Sequence, residues 1–133
     1  MRGKAPPVRD YMSHLAIETE RCDTVAAAEA LMKKQGIHHL PVMSGSHLRG
    51  VITQNDILAA RLRFGDSLDE MPVEQICRTD VLTVEPNESI DAVAAQMLEG
   101  KVDSAIVTDG GFVVGVFTAT DALRVLSQLF GGR

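Results

Sequence analysis

Apolar residues recur along this chain at two spacings, and the spacing assigns most of its elements. Val25, Ala28, Leu31 and Met32 share one helical face, following the 3.6-residue period of an amphipathic helix. Asp23-Thr24 offers a cap before that run and Gly36 a stop after it. Ile90, Val93, Ala94, Met97 and Leu98 repeat the stripe after the turn Pro86-Asn87-Glu88-Ser89. Further helices are predicted over residues 55–64 and 119–130. Apolar runs at 39–43 and 47–53 flank Ser44-Gly45-Ser46, and those at 104–108 and 112–118 flank Asp109-Gly110-Gly111; each pair reads as a β-hairpin. Short strands are expected at 16–20 and 81–85. Residues 8–12 and 73–77 read as brief lead-in helices, with Pro6-Pro7 blocking an earlier start. Residues 65–72 read as a polar joint, and 131–133 as a frayed end.

The order of elements is the same twice, and so is the sequence. At an offset of 65, residues 8–58 align with 73–123 without a gap. Identities fall at Val8/Val73, Glu20/Glu85, Ala27/Ala92, Ala30/Ala95, Met32/Met97, Val42/Val107, Gly45/Gly110, Gly50/Gly115, Val51/Val116, Thr53/Thr118, Asp56/Asp121 and Leu58/Leu123. Ordinary composition would give on the order of three. A gapless match of this kind marks an internal duplication, with repeats at 1–66 and 67–133. Each repeat, about 60 residues, is a size at which an isolated unit is marginal, so a shared core is expected.

Composition narrows the function classes. The 133 residues carry a net charge of −5, which argues against a general nucleic-acid binder with its basic face. No apolar run approaches the roughly 20 residues of a membrane-spanning helix, and no signal peptide is apparent. Cys22 and Cys77 form no CxxC and occupy unrelated repeat positions; free thiols in a cytoplasmic chain are expected. There is no Trp, one Tyr and four Phe, so aromatic stacking platforms are scarce. His14 and His47 lack metal-ligand spacing to each other or to the cysteines. No Ser-His-Asp order, phosphate-binding glycine loop or GxGxxG occurs, and no enzyme is expected.

The candidate chemistry sits in Thr53-x-x-Asp56 and Thr118-x-x-Asp121, where an apolar strand runs into a helix. One reading is structural: a capping box, with the Asp on the positive end of the helix dipole. The other uses the same geometry for a ligand. Free N–H groups at a helix start attract phosphate, a threonine hydroxyl can donate to it, and an ionised carboxylate accepts from paired ribose hydroxyls. Gly50 and Gly115, inside strands, leave room for another backbone or a ligand; packing explains them equally.

The duplicated unit resembles the CBS domain, named after cystathionine β-synthase. The resemblance rests on His39-Leu40-Pro41-Val42 before a glycine turn, on Gly-h-h-Thr-x-x-Asp in both copies (h apolar) and on the element order. The second copy departs from it, since Ala105-Ile106-Val107 lacks the proline. The resemblance implies an α+β tandem CBS-domain pair, or Bateman module: two β-α-β-β-α repeats about a pseudo-twofold axis. It implies a regulatory, non-enzymatic module that binds an adenosine-type nucleotide (AMP, ADP, ATP or related) in the cleft between repeats and pairs into a homodimer. No cofactor is required. Asp56 and Asp121 would be the ribose ligands, and Thr53 and Thr118 the phosphate contacts. The base would lie against Ala16, Ile17, Ile37 and the backbone of His38 and His39 opposite Asp121. Opposite Asp56 it would lie against Val81, Leu82, Val102 and the backbone of Asp103 and Ser104. His38-His39 precede the strand of repeat one and Asp103-Ser104 that of repeat two. Imidazoles that become cationic favour phosphate and a carboxylate repels it, so the Asp56 cleft is expected to take the phosphorylated ligand. The plain alternative for the histidines is a solvated pair at a strand edge. The alternative for the whole is a dimerisation or docking module with vestigial clefts.

Overall fold

The computed structural model describes residues 5–14 and 17–131. Strands are β1 (Ser13–His14), β2 (Thr19–Glu20), β3 (His39–Ser44), β4 (His47–Thr53), β5 (Thr83–Val84), β6 (Ser104–Asp109) and β7 (Phe112–Thr118). Helices are α1 (Val25–Gln35), α2 (Gln54–Phe64), α3 (Ile90–Gly100) and α4 (Ala119–Gly131). One sheet has the order β2-β3-β4 and the other β1-β7-β6-β5. The hairpins and long helices lie where the hydrophobic pattern puts them.

The chain divides into two compact units, one of residues 17–81, the other of the described residues of 1–16 and 82–133. These units cut the chain differently from the sequence repeats. The lead-in of each repeat packs in the unit built by the body of the other. In the first unit, Val73 N–H donates to Asp23 O at 2.8 Å and Val25 N–H to Met71 O at 2.8 Å. In the second, Val8 N–H donates to Glu88 O at 2.7 Å and Ile90 N–H to Pro6 O at 3.0 Å. These bonds coincide under the 65-residue offset. Val73 and Val8 are both fully buried, so the exchanged lead-ins are parts of the two cores.

Each core is aliphatic. Val25, Leu40, Ile52, Ile57, Leu68 and Val73 fill the first. Val8, Val93, Val107 and Phe117 fill the second. The joint at 65–72 is not merely polar: Gly65–Glu70 is a 3-10 helix that buries Leu68 completely. Arg61 fastens this turn, donating to Asp69 at 3.0 Å and to Glu29 of α1 at 2.9 Å, and these bonds raise its pKa above the ordinary value. The lead-ins are shorter than expected, 3-10 turns at Val8–Asp10 and Val73–Gln75. The expected strand at 16–20 is Thr19–Glu20, with Ala16 outside the described residues, and that at 81–85 is Thr83–Val84. Each is a short parallel addition to a hairpin.

Candidate functional site

Thr53 closes β4 in an extended conformation (φ −113°, ψ 161°) and starts α2. Its hydroxyl oxygen accepts from Asp56 N–H at 3.0 Å, while Asp56 Oδ2 accepts from Thr53 N–H at 3.1 Å. The capping-box reading is therefore correct at this helix. The same bonds form at α4, from Thr118 N–H to Asp121 Oδ2 at 2.9 Å and from Asp121 N–H to Thr118 Oγ1 at 3.2 Å. There the Thr118 hydroxyl also donates to Asp121 Oδ2 at 3.1 Å.

The boxes leave Oδ1 of each carboxylate pointing to other partners, and an arginine meets each one. Arg78 Nε donates to Asp56 Oδ1 at 3.0 Å, and an Arg124 guanidinium nitrogen donates to Asp121 Oδ1 at 2.8 Å. The carboxylates are withdrawn from solvent and the cations are not: side-chain exposures are 13% for Asp56 and 5% for Asp121 against 61% and 60% for the arginines. Ion pairs opened from an exposed cation are weak restraints, typically under about 1 kcal/mol.

Sequence reasoning missed both arginines. Neither has a counterpart in the other repeat, since Arg78 aligns with Ser13 and Arg124 with Ala59. Only Gly50 hinted at Arg78. The Arg78 backbone bonds Val51 in both directions, each at 2.9 Å, and lies directly over Gly50. A Cβ at Gly50 would run into the Arg78 carbonyl and stand 3.1 Å from Cys77 Sγ. Gly115 does the same for β1, where a Cβ would meet Ser13 O at 2.7 Å and Met12 Sδ at 2.5 Å. Close approach of another backbone, rather than of a ligand, accounts for both glycines. Beside Gly50, burial pushes the Cys77 thiol up, outweighing the downward pull of Arg49.

Four of the other candidates, His38, His39, Asp103 and Ser104, lie at the two boxes. His38 sits at the start of α2: its carbonyl accepts from Gln54 N–H at 3.1 Å and its Nδ1 lies 2.7 Å from Gln54 Oε1. His39 faces Thr53 in the hairpin register. The histidines are thus held at the Asp56 box; His38 is exposed and His39 half-buried. Asp103 occupies the matching place at α4, its carbonyl accepting from Ala119 N–H at 2.9 Å, and Ser104 faces Thr118. Ile17 and Ile37 pack against the Asp56 unit's core, and Leu82 and Val102 against the Asp121 unit's core. Val81 is half-buried, at the end of the first unit. Ile17, Ile37, His38 and His39, which the resemblance assigns to the ligand of Asp121, lie in the unit that holds Asp56.

Among the described residues no group of three or more His, Cys, Asp or Glu could hold a metal ion, and no helix is long and apolar enough to cross a membrane.

Known proteins carry the same duplicated unit. The family model for the CBS domain matches residues 8–63 and again 73–128. This chain belongs to the CBS-domain family, as a tandem pair. It is 29% identical over 135 residues to L-aspartate semialdehyde sulfurtransferase of Methanocaldococcus jannaschii, covering 100% of this chain and 25% of that protein. It is 25% identical over 114 residues to the CBS domain-containing protein YhcV of Bacillus subtilis, covering 86% of this chain and 81% of that one. The chain thus spans only a quarter of the length of the sulfurtransferase. Among solved structures it resembles an uncharacterized conserved protein from Pyrococcus horikoshii (27% identity, TM-score 0.80, 95% of each chain). It also resembles the CBS domain pair of protein MJ0100 in complex with 5′-methylthioadenosine and S-adenosyl-L-methionine (29% identity, TM-score 0.77, 96% of this chain and 98% of that one).

Proposed function

We propose that the chain is a regulatory module that senses an adenosine-type nucleotide and signals by a shift between conformations. The observation that carries this reading is the pair of Thr-x-x-Asp boxes, each with a carboxylate at a helix start and a guanidinium beside it. A ribose diol suits the carboxylate, and a phosphate suits the helix N–H groups and the cation. The adenosine-derived ligands of the MJ0100 pair support the ligand class. In this proposal Thr53, Asp56, His38 and His39 serve one ligand position and Thr118, Asp121, Asp103 and Ser104 the other, with Ala16, Ile17, Ile37, Val81, Leu82 and Val102 supplying apolar contacts to the bases. A ligand favours one arrangement of the module by its differential affinity, and a protein partner or second copy reads that arrangement.

The two positions are unequal. His38 stands where Asp103 stands in the other repeat, and the Thr118 hydroxyl proton is already committed to Asp121. The Asp56 position is therefore the stronger for phosphorylated ligands. Calorimetry with AMP on Asp56→Ala and Asp121→Ala tests this. A bond to a charged group contributes about 1.5–3 kcal/mol, so Asp56→Ala is expected to weaken binding about tenfold or more, and Asp121→Ala much less. Equal losses would overturn the asymmetry.

A second reading is favoured by the helix faces. Leu123, Leu126, Leu129 and Phe130 of α4 and Leu98 of α3 are exposed, and an open groove of about 1390 Å³ beside them is lined by Ile90, Ala94, Val125, Leu126 and Leu129. Such a surface suits a second copy of the chain, and a module whose only task is dimerisation or docking would need no ligand.

A further inference from the structure

We propose that the outer face of α3 and α4 receives a second copy of the chain, so that two copies join through the second repeat alone. This deepens the docking reading above and requires no nucleotide. The first repeat serves as an internal control, because it builds the same pair of helices from the duplicated sequence. In the first unit Gly65–Glu70 packs against both α1 and α2 and buries Leu68 among Val25, Ile52 and Ile57. Shifted by 65 residues, those three neighbours are Ile90, Phe117 and Ala122, and all three line the open groove of about 1390 Å³. The residues that align with Leu68 are Gly3 and Arg133, neither of which supplies an apolar side chain. The groove therefore matches a place that a leucine fills in the other unit.

The rim of the groove changes character as well. In the first unit Arg61 bonds Glu29 at 2.9 Å and Asp69 at 3.0 Å. Arg61 aligns with Leu126, Glu29 with Ala94, and exposed Lys33 with Leu98. Three charged positions have become apolar on a face that the first repeat keeps charged, so the fold itself does not demand the change. Leu98 is left 80% exposed, Leu123 65%, Leu126 50%, Leu129 66% and Phe130 78%. Apolar surface gathered in this way marks an interaction site. Two features point to a second copy as the occupant. The chain carries a net charge of −5, yet the only charged residues of α4 are Asp121 and Arg124, bonded to each other at 2.8 Å. This face meets its own copy without like-charge repulsion. It is also self-complementary: the leucines of α4 form a ridge beside the groove, and a twofold axis sets the ridge of each copy into the groove of the other. On α2 the exposed Leu58 and Leu62 are interspersed with Arg61 and Arg63, the ordinary mixed surface of a soluble helix.

The test is sedimentation velocity, without nucleotide, on the wild-type chain and three variants. Ala94→Glu combined with Leu126→Arg gives the second unit the ion pair that Glu29 and Arg61 form in the first, a pair this fold already accommodates. Phe130→Glu charges a side chain that is 78% exposed, and Leu62→Glu does the same at a 92% exposed position of α2. The wild type is expected to sediment as a dimer, the first two variants as monomers, and Leu62→Glu as a dimer. All three variants should keep a cooperative urea transition, so that each monomer is a folded one. A monomeric wild type, or a dimer that survives both changes to the second repeat, would overturn the inference and leave the nucleotide reading standing. Loss of the dimer in Leu62→Glu as well would overturn the confinement of the interface to the second repeat.

Discussion

At the scale of single residues, Gly50 connects the strand to the candidate site. A side chain there collides with the Arg78 carbonyl, which is backbone and cannot swing aside. Gly50→Ala must lift residues 77–78 off β4 and break their two bonds to Val51. The expected loss of stability is about 1–3 kcal/mol, the usual cost of overpacking, read as a lower denaturant midpoint. Loss of the Arg78–Asp56 contact should follow. An unchanged midpoint would mean that the loop does not lie where the structure has it. Such residues divide by how visible they are in the sequence. Thr53, Asp56, Thr118 and Asp121 were legible because both copies retain them. Arg78 and Arg124 were not, because each occurs in one copy; Arg78 reaches its carboxylate by tertiary placement, and Arg124 lies one turn along α4 from Asp121.

At the scale of elements, the hairpins and the four long helices follow from hydrophobic period, turn residues and caps. Thr24 caps α1 by accepting from Ala27 N–H at 3.1 Å, and Gly36 ends it at φ 65°. The α3 stripe is only partly buried: Ile90, Val93 and Met97 go inside, while Leu98 is 80% exposed. Periodicity alone assigns all of them to one core face. The pieces between these elements were harder to read. β2 and β5 are two residues each, too short for alternation to register, and they exist as strands because β3 and β6 accept them as parallel neighbours. The lead-ins read as local helices, whereas their tight turns serve to bury one valine each, Val8 and Val73, in distant partners.

At the scale of the molecule, the exchange of lead-ins makes the foldable piece different from the repeated piece. A fragment of residues 17–81 holds the whole of one core, including Leu68 and Val73. A fragment of residues 1–66 lacks both, although it holds a full sequence repeat. Units this small are marginal, so losing two fully buried side chains should decide the outcome. Fragment 17–81 is expected to unfold cooperatively in urea and fragment 1–66 to show no transition; the reverse would contradict the assignment of units.

The central claim is that the paired domain binds an adenosine-type nucleotide. The most direct measurement is the melting temperature of the purified, ligand-stripped chain with AMP, ADP, ATP, NAD or S-adenosylmethionine. A ligand at a hundredfold excess over its Kd stabilises the folded state by about 2.7 kcal/mol, so at least one of the five should raise the melting temperature, and Asp56→Ala should abolish most of that rise. A melting temperature unmoved by every ligand would contradict the claim and leave the exposed helix faces as the working surface of the molecule.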